Sequence, residues 1–399
     1  MVKVLANAPQ RWSEIYCLSR RPPPDYFFEG LGEGASRVHH VEADFLGDPE
    51  QLAETMKAKI KKVDHVFFFS YTQPQQKGGV LGMWSDADAL AKVNSDLISN
   101  FVGGLKIANL TPKRFLLQTG AKHYGFHIGP ATCPSFESDS RITLENNFYY
   151  PQEDILAKYC AENGLGWNVV RPSYIIGAVR DNLLNHMTGF AVYASVQAHL
   201  KRPLAFPGDY LAWDREMCQS TAIMNAYLEE WAVLTPEAEN EAFNAQDGLP
   251  FTWGRFWPYL ASWYGIPWTP PENDPDKYRS NTSRSKETPR GYGPQGVTRS
   301  TFSLTEWMED PEVQNAWNEL KTKHGLQIDP IKDRVQILGV TDSAVISGWP
   351  LSLSMRKARK MGFHGNVDSY EAAFQCLKSM ADLKVSAPLA VDTYSDDLK

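Results

Sequence analysis

The first 170 residues alternate short β-branched or aromatic runs with longer amphipathic stretches. That alternation restricts the chain to a parallel, doubly wound α/β sheet, because parallel neighbours need a crossover of about a dozen residues or more between them. Strands are expected over 14–19, 37–43, 63–70, 114–119 and 167–171, and helices over 49–61, 84–108 and 149–163. The stretch 49–61 starts acidic and ends lysine-rich, as the helix dipole favours. Ligands of such sheets sit at the carboxyl ends of the strands. The positions to watch are therefore Ser19, Arg20 and Arg21, then Asp44, Ser70 and Tyr71, and the stretches 119–122 and 172–177.

After Gly177 aromatic residues crowd into 190–193, 210–213 and 251–268 among helical runs such as 217–234. The expected organisation is a Rossmann-like domain over 1–177 and a mostly helical region over 178–385 with some return to the sheet near 241–245. Most of those aromatics are expected in a core, some in the wall of an apolar pocket. The polar, Pro-, Ser- and Gly-rich stretch 269–300 reads as an exposed loop, and 386–399 as a flexible tail.

Forty basic residues against forty-seven acidic ones leave a net charge of −7 and no basic stripe, which argues against a nucleic-acid partner. Five scattered cysteines form no C-x-x-C or zinc-spaced cluster, so free thiols and no metal are expected. No apolar run approaches the length of a membrane span, and the first residues lack a signal peptide's apolar core. The expectation is a cytoplasmic protein without a membrane partner; a homodimer is one assembly open to it.

Arg20 and Arg21 follow a strand and precede three prolines. In a dinucleotide-binding fold, arginine at that strand end accommodates a ribose 2′-phosphate, which favours NADP(H) over NAD. Asp44 would lie near the adenine, although a loop or helix-capping carboxylate is the plainer reading. Strand 114–119 runs into Gly120, Ala121, Lys122, His123 and Tyr124, and Tyr149 opens a helix 27 positions after Lys122. The usual Tyr-x-x-x-Lys pair is absent, since Glu153 stands four after Tyr149. Lys122 could supply the missing cation from the neighbouring strand end and favour a phenolate.

The strings LSRRPPP, VDHVFFFSYT, LLQTGAKHY, NNFYYPQEDIL, VVRPSYIIG, AVYASVQAH, LAFPGDYLAWD and MRKARKMGFHG occur in that order over nearly the whole chain. This pattern resembles the progesterone 5β-reductase and iridoid synthase-like (PRISE) branch of the extended short-chain dehydrogenases. The resemblance implies NADPH-dependent 1,4-reduction of the C=C bond of an enone or enal on a small apolar terpenoid, steroid-like or polyketide-type substrate. It places the catalytic pair on Tyr149 and Lys122, and cofactor contacts on Ser19, Arg20, Arg21, Asp44, Phe45, Ser70, Tyr71, Thr119 and Ile175. Trp84, Phe190, Tyr193, Trp213 and Phe363 would shape the substrate pocket.

One departure stands out. The first residues read as the second half of the fold's first helix, so the first strand and its glycine-rich phosphate turn are expected to be missing. Gly30, Gly32 and Gly34 are no substitute, because they follow a proline-rich loop and precede a strand. Two further readings stay open on that account: a cofactor-independent cyclase or isomerase, and a non-catalytic binding protein.

Overall fold

The computed structural model describes residues 1–74, 86–180 and 184–395. Its first four strands fall within the expected runs, and the fifth extends past its run at both ends: β1 Ile15–Ser19, β2 Val38–Glu42, β3 His65–Phe68, β4 Arg114–Gln118 and β5 Gly166–Pro172. A sixth, β6 Glu241–Ala245, returns from the helical region and pairs parallel to β5, with Asn168 opposite Glu241 and Pro172 opposite Ala245. Within β4 the pleat divides the apolar side chains, as a period of two requires. Phe115 and Leu117 face one layer and Leu116 the other, all at most 1% exposed.

The first layer is made of α2 Pro49–Lys59, α3 Ala87–Ala108 and α4 Tyr149–Asn163, α1 being the short N-terminal helix Val2–Ala6. Each has a local reason to start or stop. Asp48 and Asp86 accept backbone N–H groups at the starts of α2 and α3, satisfying donors that a helix end leaves open. Asn109 (φ 53°) and Gly164 (φ 64°) end α3 and α4 in the left-handed region. A Cβ on Gly104 would lie 3.1 Å from Leu52 Cγ, so glycine there lets α2 and α3 cross closely. The opposite layer sets α1 and α6 Ala222–Leu234 against Leu116, Val170 and Phe243, with α5 His186–His199 lying outside it in the third core.

These six strands form two sheets. β1 pairs with β2 in register from Ile15–Val38 to Ser19–Glu42, while β3, β4, β5 and β6 form the other in that order. Among the described residues no ladder joins β1 to β3. The break lies at the point where the strand order of a doubly wound sheet reverses. Side chains bridge it: Trp12 packs edge-on against His65 (5.1 Å between ring centroids) and Phe67 (5.8 Å). Its indole N–H donates to Glu230 of α6 at 2.7 Å, and Arg11 reaches the same carboxylate at 2.9 Å. The Arg37 guanidinium donates to the carbonyls of Ala6 and Trp12, tying α1 to the entry of β2.

The third core is aromatic. α5 is buried along almost its whole length, and Phe190 meets Trp253, Phe256 and Trp257 of α7 Trp253–Trp263 at 5.2–5.9 Å. Two expectations are corrected by the outer segments. The stretch 269–300 contains an antiparallel hairpin, β7 Arg279–Thr282 with β8 Val297–Ser300, whose ladder satisfies backbone groups that a loop would leave to water. The connection between these two strands packs onto the turn after β4, where a Cβ on Gly125 would lie 2.9 Å from Pro289 Cβ. The tail is docked as far as it is described: Ala387 N–H donates to Ser195 Oγ at 3.2 Å, Ala390 N–H to Trp263 O at 2.7 Å, and the Tyr394 ring meets Phe374 at 6.0 Å.

α5 meets the helix Arg334–Ile346 at Gly189, where a Cβ would fall 2.1 Å from Thr341 Oγ1. Thr341 cannot swing away cheaply, because its hydroxyl donates to His186 O at 2.7 Å and its β-branched side chain is stiff. Gly189→Ala is expected to destabilise the protein by about 1–3 kcal/mol through overpacking, read as a lower denaturant midpoint. An unchanged midpoint would contradict this packing.

Candidate functional site

A cavity of about 140 Å³ opens at the carboxyl ends of β1, β2 and β3, lined by Ser19, Arg20, Asp44, Phe45, Ser70 and Tyr71 among others. Ser19 Oγ donates to Arg21 O at 2.7 Å and fixes the turn that presents the two exposed arginines. Asp44 Oδ1 accepts the Leu46 N–H at 3.0 Å, which is the loop-carboxylate role. Phe45 offers this cavity little side chain: its ring is 8% exposed and lies against Phe68 and Phe101 in the core. A hydroxyl, two guanidinium groups and a carboxylate at one edge are what a phosphorylated ribose requires.

The segment after β3 is held by a residue that sequence reasoning missed. Asn94, wholly buried on α3, accepts the Thr72 N–H at 2.9 Å and donates to Thr72 O at 2.9 Å. Its own carbonyl accepts from Gln152 of α4 at 3.0 Å. The available signal was one amide on the apolar face of an amphipathic helix, which a buried position must pair.

Tyr149 and Lys122 come together at the ends of β4 and β5. β4 is followed by Gly120 in extended conformation and a single helical turn, Ala121–Tyr124. A Cβ on Gly120 would lie 2.9 Å from Tyr149 Oη and 3.4 Å from Pro172 O, so glycine lets the hydroxyl reach the strand end. Thr119 N–H donates to Val170 O at 2.8 Å and aligns that end with β5. Asn147 spans the two catalytic candidates: its amide donates to Lys122 O at 2.9 Å and its carbonyl accepts the Tyr149 N–H at 3.1 Å. Lys122 Nζ lies 6.0 Å above the Phe148 ring, and Phe148 packs on Tyr149 at 4.4 Å and Tyr71 at 5.4 Å.

The electrostatics correct one expectation. Burial drives the Tyr149 phenol well above its ordinary value, and the charges of Tyr71 and Glu153 push the same way. That direction favours a neutral O–H donor over a phenolate at Tyr149. Burial likewise drives Lys122 well below the usual ammonium range, partly offset by Glu145 and reinforced by Arg284. Glu145 sits 3.4 Å from both His127 Nε2 and Arg284, so residues of the 269–300 stretch reach the site's electrostatics. His127 is pushed down to about 4 by burial and is neutral at pH 7.

The remaining sequence candidates separate. Ile175 is half-buried in the short strand Tyr174–Ile176, which pairs parallel to Gln219–Thr221. Phe190 has no exposed surface and Tyr193 is 1% exposed with its hydroxyl on Ala205 O, so both are core and not pocket wall. Trp213 is an edge residue stacked on the exposed Trp268 at 5.7 Å. Phe363 packs on Trp231 in the layer behind the sheet, with Met224 and Phe243, away from the cluster of Phe190, Tyr193 and Trp213. Trp84 lies outside the described residues. Gly30 precedes and Gly32 and Gly34 lie in a short 3-10 turn that leads into β2, and a Cβ on Gly34 would fall 2.7 Å from Ala6 O. Gly34 packs against α1, and the segment leads into a strand, so it offers no helix N-terminus to an anion. Among the described residues there is no cluster able to hold a metal, and no helix is long and apolar enough to cross a membrane.

Residues 38–340 match the family described as a PRISE-like Rossmann-fold domain. A short chain dehydrogenase of Penicillium aethiopicum is 30% identical, over 90% of this chain and 88% of that one. An (S)-8-oxocitronellyl enol synthase of Catharanthus roseus is 25% identical, over 95% and 86%. A 3-oxo-Δ(4,5)-steroid 5β-reductase of Arabidopsis thaliana is 28% identical, over 66% and 64%.

The charge arrangement around Lys122 has a consequence that needs no substrate. Arg284→Gln removes a like charge and should raise the Lys122 pKa, whereas Glu145→Gln removes the opposing one and should lower it, each by about one unit. Titration of ¹³C-methylated lysines by NMR, assigned with Lys122→Arg, reads both shifts. Shifts of the same sign, or none, would contradict the arrangement.

Proposed function

Because the chain belongs to the PRISE-like Rossmann-fold family, we propose that it reduces the C=C bond of an apolar enone or enal with NADPH, which when bound supplies the hydride to the β carbon. The observation that carries this reading is the half-buried Tyr149 phenol, which faces Gly120 at the strand end and which its surroundings hold away from ionisation, with the buried Lys122 two residues beyond that glycine. A neutral phenol can donate to the substrate carbonyl oxygen and stabilise the negative charge that develops there. Lys122, whose backbone is fixed through Asn147, would add positive potential nearby in its protonated form. The printed activity of the steroid 5β-reductase relative, reduction of a 3-oxo-Δ(4,5) compound, supports the reaction class. The names of the 8-oxocitronellyl enol synthase and 3-oxo-steroid reductase relatives support a small apolar substrate, a terpenoid, steroid-like or polyketide-type carbonyl compound.

Ser19, Arg20 and Arg21 would hold the ribose 2′-phosphate, with Asp44 and the backbone of Phe45 at the adenosine. Ser70, Tyr71, Thr119 and Ile175 would line the path toward the nicotinamide. One observation favours a second reading. The break between β1 and β3 lies where a doubly wound fold binds the diphosphate, so a cyclase or isomerase that works without cofactor and uses Tyr149 as its acid is the competing account. Turnover by rigorously nucleotide-free protein would favour that account; strict dependence on NADPH would exclude it.

With an enone substrate, Tyr149→Phe should lower kcat by about 10²–10³, the cost of one oxyanion donor, and Lys122→Ala by more than about tenfold. Both variants should retain NADPH binding measured by fluorescence. The pair Arg20→Glu and Arg21→Glu should do the reverse, weakening NADPH about 10–100-fold while sparing NADH, as expected for lost charge-assisted bonds. Wild-type activity in Tyr149→Phe, or equal loss of both nucleotides in the arginine pair, would overturn these assignments.

A further inference from the structure

Four residues beyond Tyr149, on the same face of α4, stands a carboxylate that the reaction above does not use. Glu153 is 10% exposed at its side chain and is the hub of a buried charged cluster. Arg171, at the end of β5 and itself 6% exposed, donates to it at 3.2 Å, and Arg141 at 3.3 Å. His123 Nδ1 lies 3.3 Å from Glu153 Oε1, off the line of a full hydrogen bond. Arg171 also donates to the Tyr124 hydroxyl at 3.4 Å, and the Tyr150 hydroxyl donates to His123 O at 2.7 Å. With Asn147 on Lys122 O, each of the three residues Lys122, His123 and Tyr124 is held to α4 or β5.

We propose that Glu153 is a positioning residue for the reduction, the carboxylate that locks the Lys122 turn onto α4 opposite Tyr149. The inference rests on the reading of Tyr149 and Lys122 given above. A carboxylate is an unexpected occupant of this place, because its charge disfavours ionisation of the neighbouring phenol. That sign suits a donor that must stay protonated. It would be wrong for a phenolate. The two arginines make the burial tolerable, since a buried charge persists only when paired. Packed directly against Glu153 are Arg171 of β5, Arg141, and His123 of the turn, while Tyr149 and Tyr150 of α4 feel its charge. Arg141 also pairs with Asp154, and Tyr124 lies within reach of the charges of Arg171, Glu137 and Asp139.

The test uses the full chain. Glu153→Gln should lower kcat for the enone about tenfold with KM changed less than about twofold, the split expected when an interaction serves the transition state. It should also move the alkaline limb of the kcat profile about one pH unit lower. The direction is the same whether Tyr149 or Lys122 sets that limb, because losing a negative charge makes either group more acidic. Amide hydrogen exchange gives a readout without turnover. Glu153→Gln and His123→Leu should both speed exchange at His123 and Gly125, whose N–H groups close the turn on Gly120 O and Lys122 O. His123→Asn, which keeps a donor at the Nδ1 position, should restore it. An unmoved pH limb with unchanged exchange at the turn would overturn the proposal, as would faster exchange spread evenly through β4 and α4. Should Glu153→Gln fail to fold, the His123 pair decides. Absence of enone turnover in the wild type would remove the reductase reading, and the exchange data would still decide whether the clamp exists.

Discussion

Everything proposed for this protein depends on the parallel register between β4 and β5. Thr119 on Val170 ends that ladder, and the two chains then diverge, leaving Gly120 beside Pro172. The divergence is filled by one side chain, Tyr149. A slip of one residue would turn Phe115 and Leu117 out of their layer and Leu116 out of the other, so the hydrophobic pattern of the strand fixes where the phenol ends up. The site's geometry is thus a by-product of core packing, and its chemistry follows from burial. The low-dielectric position that keeps Tyr149 protonated also strips Lys122 of much of its affinity for a proton. Glu145 and Arg284 oppose each other in setting what remains.

The same reasoning explains why the break between β1 and β3 matters less to Tyr149 than to the arginines. Tyr149 and Lys122 belong to the four-stranded sheet, whose ladders are continuous from β3 to β6. Arg20 and Arg21 follow β1 and are carried by the two-stranded sheet, connected to the other through Trp12, Arg37 and Glu230. The proposed adenosine end and the proposed reacting end of the site therefore stand on two supports.

How much could be read from the chain alone varies with the physics. Short β-branched or aromatic runs alternating with amphipathic stretches located β1 to β5 and α2 to α4, because local sequence determines them. The Tyr149–Lys122 pair was legible as residue types at strand and helix ends, together with the family resemblance. The direction of the phenol's shift was not, since it depends on burial that no single sequence displays. Phe190 and Phe363 show the same limit from another side. An aromatic in a helical run reads equally as pocket wall or core, and only the packing of α5 on α7 decides. The 269–300 stretch misled through composition: Pro, Ser and Gly serve a hairpin as well as a loop, and long-range pairing such as Pro289 on Gly125 leaves no local signal. Asn94 and Glu153 are the instructive omissions, polar residues on largely buried helix faces whose partners lie far away in sequence.

Transfer of label tests the central claim most directly. An enone incubated with NADPH deuterated at the transferable position should give a saturated ketone carrying deuterium at the β carbon and a solvent proton at the α carbon, assigned by NMR. Deuterium at the carbonyl carbon, or a rearranged product with no deuterium at all, would contradict it.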